Sequence, residues 1–204
     1  MSESFTEKSV YGVRVLNGRH KKIKDLKKQG FHAEIHGNKF WKSSYLLMDY
    51  LKENPIKPGS RVLEVGCGWG IAGIYAAKKF DCHITGLDAD ENVFPYMRVH
   101  AEANEVDHAS WHCRFEKAKP KDLQNFDVII GSDICFWDEL AKPLYKLVER
   151  AHGAGVPRIV LADPGRDPFR SLAEKCEKKL DGDFLDWEVK KPEKASGWLM
   201  TIES

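Results

Sequence analysis

Three glycines at alternate positions, Gly66, Gly68 and Gly70, stand directly after a short apolar run, Arg61-Val-Leu-Glu-Val65. Glycine lets a backbone turn sharply and approach a ligand closely. A helix beginning just after them presents free N–H groups at its start. Glu64 precedes the first glycine by two positions, and Asp88 lies twenty positions beyond Gly68, at the end of a second apolar run. A carboxylate there can accept hydrogen bonds from both hydroxyls of a ribose. Strand, glycine turn, helix and distal acid together describe a ligand cradle at the carboxyl edge of a parallel sheet.

Two ligands suit such a cradle. Gly68-Trp-Gly-Ile-Ala-Gly73 with Asp88 fits a dinucleotide fingerprint, and a nicotinamide-dependent dehydrogenase would carry one. Three features point instead to S-adenosylmethionine (SAM). Glu64 suits a ligand with a cationic amino group and is a poor neighbour for a pyrophosphate. Trp69 is expected to crowd a pyrophosphate. The end of the chain, moreover, does not follow the six-stranded dinucleotide order.

The elements that must hold these residues can be read from periodicity. Apolar runs predict strands at 61–65, 82–87, 109–114, 126–130 and 158–162, and helices fall at 43–52, 71–80, 92–104, 140–152 and 169–180. Strands alternating with helices imply a parallel sheet covered on both faces. Phe184–Lys190 and Trp198–Ile202 leave no room for a helix between them, so they should form a hairpin. The expected fold is α/β, a Rossmann-like doubly wound seven-stranded sheet, mostly parallel, with a C-terminal antiparallel β-hairpin.

The first forty residues differ. Arg19-His-Lys-Lys-Ile-Lys-Asp-Leu-Lys-Lys28 reads as a short helix with a basic face, either simply solvated or a docking strip for an acidic partner. Residues 1–40 are thus an N-terminal helical and basic extension, and 41–204 the main domain. The chain of 204 residues carries a net charge of +1, so no strong field attracts nucleic acid and no specific nucleic-acid binding is expected. The N-terminus is polar and no apolar run could span a bilayer, which implies a cytoplasmic protein with no membrane partner. The five cysteines form no Cys-x-x-Cys pair and the eight histidines show no ligand-like spacing, so no metal is expected.

The stretch from about Phe40 to Ser204 resembles the class I, seven-strand SAM-dependent methyltransferases, through Glu64-x-Gly66-x-Gly68-x-Gly70 followed by Asp88. That resemblance implies that the glycine loop, with Cys67, cradles the methionine part of SAM and that Asp88, with Ala89 beside it, holds the ribose. It implies that Phe115 and Glu116, in the loop after the third strand, flank the adenine. It implies that the loop after the fourth strand, entered at Ser132, floors the acceptor site. A narrower set is similar to the protein lysine methyltransferase family that includes the electron-transfer-flavoprotein lysine methyltransferase: Phe40-Trp41-Lys-Ser-Ser44, Asp133-Ile-Cys-Phe136 and Asp163-Pro-Gly-Arg166. That family shows Asp-x-x-Tyr after the fourth strand, and here Phe136 occupies the Tyr position.

Methyl transfer from a sulfonium is an in-line displacement that demands a close, aligned and neutral acceptor. A lysine amine is mostly protonated at neutral pH, and an apolar aromatic pocket lowers its pKa. Asp133 is the expected catalytic residue, orienting the acceptor, unless it caps the following helix. Trp41 is expected beside the cofactor, and with Phe136 and Trp137 it could form an aromatic wall for the substrate. Trp41 could equally be a lid and Trp137 core. Arg166 would pair with Asp133 or meet a substrate carboxylate. The resulting expectation is a monomeric SAM-dependent N-methyltransferase acting on a protein side chain, lysine. A small-molecule amine methyltransferase and a non-catalytic SAM-binding interaction protein stand as alternatives.

Overall fold

The computed structural model describes residues 6–34, 37 and 39–203. Its main sheet has seven strands: β3 (Arg61–Val65), β4 (His83–Asp88), β5 (His108–His112), β6 (Val128–Ser132), β7 (Arg158–Asp163), β8 (Asp183–Val189) and β9 (Ala195–Glu203). They lie in the order β5-β4-β3-β6-β7-β9-β8. The first five are parallel, and β9 runs antiparallel to both neighbours, β7 and β8. The expected hairpin is therefore present, and its second strand lies inside the sheet while its first forms the edge.

Helices cover both faces. The alternation of β3 shows how: Val62 joins one apolar cluster, with α2 (Ser43–Glu53), α3 (Ile71–Phe80) and α4 (Phe94–Asn104). Leu63 and Val65 join the other, with α6 (Asp138–Gly153) and α7 (Asp167–Leu180). Successive side chains of a strand point to opposite faces, so Glu64 shares the α3 face with Val62. A one-turn helix, α5 (Pro120–Leu123), lies between β5 and β6.

Ahead of the sheet are a small hairpin, β1 (Glu7–Val10) and β2 (Val13–Leu16), and α1 (Lys21–Lys28). Neither strand is expected from the sequence, where only the basic helix stands out. Tyr11 and Gly12 turn the hairpin with φ of 50° and 84°, the positive pair that suits a two-residue turn. Val10, Val13, Val15 and Leu16 are buried in the α3–α4 cluster. Asn104 secures β2, accepting from Arg14 N–H at 2.8 Å and donating to Arg14 O at 2.9 Å. On α1, Ile23 and Leu26 are buried while the lysines stay exposed or partly so. No helix among the described residues is long and apolar enough to cross a membrane.

Candidate active site

The glycine loop opens at the carboxyl end of β3. Gly66, Gly68 and Gly70 have φ of 60°, 50° and 71°. Gly66 has no room for a larger residue, because a Cβ there would run into Ile134 Cγ2. The loop is fixed from below: Cys67 N–H donates to Leu87 O at 3.0 Å and Gly70 N–H to Cys67 O at 2.7 Å. Gly70 is the residue that starts α3.

Asp88 ends β4 and is buried. Its Oδ2 accepts from Gly68 N–H and its Oδ1 from Asp90 N–H, each at 3.0 Å. A carboxylate has about four lone-pair positions, so acceptor capacity remains for two ribose hydroxyls. Burial pushes its pKa up, opposed by those two N–H groups. Glu64 is 4% exposed and accepts from Gly73 N–H at 2.9 Å, so the start of α3 holds it. Burial pushes Glu64 up to about 8, with the N–H groups of Gly73 and Ala72 opposing. A Cβ at Gly73 would stand 2.6 Å from Glu64 Oε2, so a larger residue there would push that carboxylate from its place.

Trp69 follows Gly68 in the loop and lines the cleft. Its indole stacks on Tyr96 at 5.8 Å and on His100 at 5.0 Å and is buried at 5% exposure. A ring held by that stack stays fixed at the wall of the cleft, which Trp69 lines beside Gly68 and Gly70.

Asp133 follows β6 with φ of 56° and is 4% exposed. It does not cap α6, whose N-cap is Trp137. Instead Ser43 N–H, at the start of α2, donates to Asp133 Oδ2 at 3.1 Å. The Arg166 guanidinium donates to Asp133 Oδ1 at 2.7 Å and to Asp163 Oδ2 at 2.8 Å. Asp163, fully buried at the end of β7, also accepts from Gly165 and Arg166 N–H. Burial raises its pKa, against the pull of Arg166 and the turn N–H groups. Arg166 lies 4.9 Å over the Phe136 ring. Of the two pairings considered for Arg166, the structure holds the one with Asp133.

Phe136 in turn packs on Trp41 at 5.7 Å and on Trp137 at 5.9 Å. Trp137 is 50% exposed, so it is not core. These elements surround one cleft, whose empty space together with its open mouth is about 990 Å³. Trp41, Glu64, Gly66, Cys67, Gly68, Gly70, Asp88, Ala89, Phe115, Glu116, Ser132, Asp133 and Phe136 all line it. Trp137 and Arg166 are not part of the lining; each touches it through Phe136, Trp137 as the half-exposed outer ring and Arg166 over the ring face. Lys39, Ser44, Ile134 and Leu140 also line it, and the sequence assigned none of them a role. Lys39 belongs to no motif; Ser44 closes the Phe40-Trp41-Lys-Ser-Ser44 stretch, and its contact with Ser132, Oγ to Oγ 2.9 Å, is what ties it to the cleft. Among the described residues, no group of three or more His, Cys, Asp or Glu could hold a metal ion.

The lining fits SAM: Asp88 is a buried carboxylate with acceptor capacity left for hydroxyls, and Glu64 is an acid beside the glycine loop that suits a cationic amino group. Comparison with known proteins agrees. A family model described as a methyltransferase domain matches residues 62–155. A ubiquinone biosynthesis O-methyltransferase from Hahella chejuensis is 29% identical over 90% of this chain and 79% of its own length. Phosphoethanolamine N-methyltransferase 1 from Arabidopsis thaliana is 40% identical over 63% of this chain and 26% of its own. An electron transfer flavoprotein beta subunit lysine methyltransferase from Danio rerio is 24% identical over 64% of this chain and 50% of its own. The chain thus spans half or less of the last two relatives. A solved methyltransferase from Pyrococcus furiosus shares the fold, with a TM-score of 0.61 at 21% identity over 92% of this chain and 99% of that one.

The chain is a SAM-dependent methyltransferase of the class I fold, and SAM is its cofactor. By name, these relatives act on different acceptors: one is an O-methyltransferase, one an N-methyltransferase of phosphoethanolamine and one a lysine methyltransferase.

Proposed function

We propose that this enzyme methylates the side-chain amine of a lysine in a protein. The supporting observation is the rim of the cleft. Trp41, Phe136 and half-exposed Trp137 form a continuous aromatic surface that runs from solvent toward the buried carboxylate of Asp133. A long alkylamine fits that path: its stem lies along the rings and its nitrogen reaches the acid. A polypeptide can bring such an arm to an open mouth without being enclosed itself. Two of the relatives act by name on nitrogen, one of them on lysine.

Bound SAM supplies a methyl group on a positive sulfur. The rest falls to the chain. Gly66, Cys67, Gly68 and Gly70 shape the loop, Asp88 takes the ribose hydroxyls, and Ala89, Phe115, Glu116 and Ser132 complete the cofactor side. Arg166 and Ser43 N–H fix the Asp133 carboxylate, which accepts an N–H bond from the amine and aims its lone pair. Phe136 offers no hydroxyl, so no phenol takes a proton from the acceptor. The amine sheds its proton to water, helped by the apolar rings, which disfavour the charged form. In this reading residues 1–40 form an extension on a methyltransferase domain of residues 41–204.

The test is transfer from SAM labelled on the methyl group into a cell lysate. Label should enter protein, resist base, and appear as methylated lysine after hydrolysis. Label confined to small molecules would overturn the protein acceptor, and base-labile label would overturn the amine.

A further inference from the structure

The cleft already contains an amine of its own. Lys39 is the one lysine on its wall among the described residues. Its Nζ stands 4.0 Å from the centroid of the Trp41 ring, the same ring that begins the aromatic path to Asp133. No carboxylate pairs with Lys39 among the described residues, whereas its neighbour Lys42 is tied to Glu193 at 3.9 Å and Lys8 to Glu193 at 3.6 Å. Lys39 is exposed, so its proton can pass to solvent. An ammonium on a tryptophan face is held weakly and keeps its freedom to move.

We propose that Lys39 is a self-methylation site: the enzyme transfers methyl groups from SAM to its own Lys39 side chain. This rests on the reading of the cleft as an amine methyltransferase site. The neutral Nζ lone pair forms the new N–C bond to the methyl carbon as the C–S bond breaks. The bonding pair of that C–S bond stays on sulfur, leaving S-adenosylhomocysteine, and the nitrogen becomes a methylammonium. The proton lost beforehand goes to water at the mouth. Tethering matters here, because an acceptor attached to the site needs no encounter step and gains the high effective concentration of an intramolecular reaction. A methylated Lys39 remains a cation and stays matched to the Trp41 face.

The experiment is mass spectrometry of the full chain incubated with SAM. The intact mass should grow by methyl increments at a rate independent of protein concentration. Peptide mapping should place them at Lys39, and Lys39→Arg should remove them while Lys42→Arg does not. Asp88→Ala, weakened in SAM binding, should slow the labelling, and an equal rate in that variant would mean solution methylation and overturn the proposal. A second readout needs no turnover: S-adenosylhomocysteine added first should protect Lys39, but not Lys42, from an amine-reactive ester. Absence of that protection would remove Lys39 from the cofactor's neighbourhood and overturn the proposal. Methylation of lysate protein with Lys39 unmodified would overturn the self-methylation alone. Cofactor binding with no transfer to any amine would instead overturn the reading beneath it.

Discussion

Arg166→Ala should expose how much of the acceptor side depends on one guanidinium. Arg166 bonds two buried carboxylates, Asp133 at 2.7 Å and Asp163 at 2.8 Å, and only 27% of its side chain is exposed. Removing one partner of a buried pair costs about 3–5 kcal/mol, because a charge is stranded without compensation. Here Asp163 keeps two backbone N–H groups and Asp133 keeps one, from Ser43. The lower end, about 3 kcal/mol, is therefore expected. In a chain of this size that corresponds to a fall in Tm of roughly 6–12 °C.

The loss should depend on pH, with a definite sign. Burial raises the Asp163 pKa and Arg166 restrains it, so the variant's Asp163 will titrate still higher in the folded state. A folded-state pKa above the unfolded value favours the native protein at low pH, and that advantage disappears as pH rises through the folded pKa. The deficit against wild type should thus be smaller near about pH 5 than near about pH 8. Urea unfolding of wild type, Arg166→Ala and the Arg166→Ala/Asp163→Asn double variant at both pH values measures this. The double variant should recover part of the loss at the higher pH. A deficit under about 1 kcal/mol at both values, the scale of a surface ion pair, would refute the buried-clamp reasoning.

Glu64, pushed up to about 8 by burial, should be largely protonated at neutral pH in the free enzyme. The SAM ammonium favours its ionised form, so binding near pH 7 should release a proton; calorimetry in two buffers of different ionisation enthalpy should detect it, and zero release would count against contact between the two. Asp88→Ala removes two charge-assisted bonds to the ribose and should weaken SAM by about 3 kcal/mol, roughly a hundredfold. A dissociation constant within a few-fold of wild type would contradict the assignment. Gly66→Ala drives a Cβ onto Ile134 at a φ of 60° and should cost about 2 kcal/mol along with most SAM binding. An unchanged melting curve with and without SAM would show that the loop can yield.

The parts legible in the sequence are those whose signal is local. The βα alternation gave the parallel core because strand and helix periods differ, and the glycine loop was visible because its φ values admit little else. The hairpin of Glu7–Leu16 was not legible: each strand has four residues, too few for alternation to stand out beside the basic run that follows. The direction of Trp69 was set by Tyr96 and His100, which lie beyond the next strand in sequence. The same holds for Asp133, whose partners are contributed by α2 and by the turn after β7. A sequence shows that an acid stands at a strand end, but not which distant N–H or guanidinium will reach it.

The place of β9 has a consequence for how the chain is made. β9 is synthesised after β8 yet lies between β7 and β8, with β7 pairing to it along Arg158–Asp163. Until β9 emerges from the ribosome, β7 presents a row of unpaired backbone groups, and β8 has no strand of the sheet to join. Nascent chains stalled between those two strands would carry a completed cofactor loop beside an open, sticky edge. A chain truncated after Val189 should therefore be aggregation-prone or chaperone-bound once released, whereas one that runs through Glu203 should not.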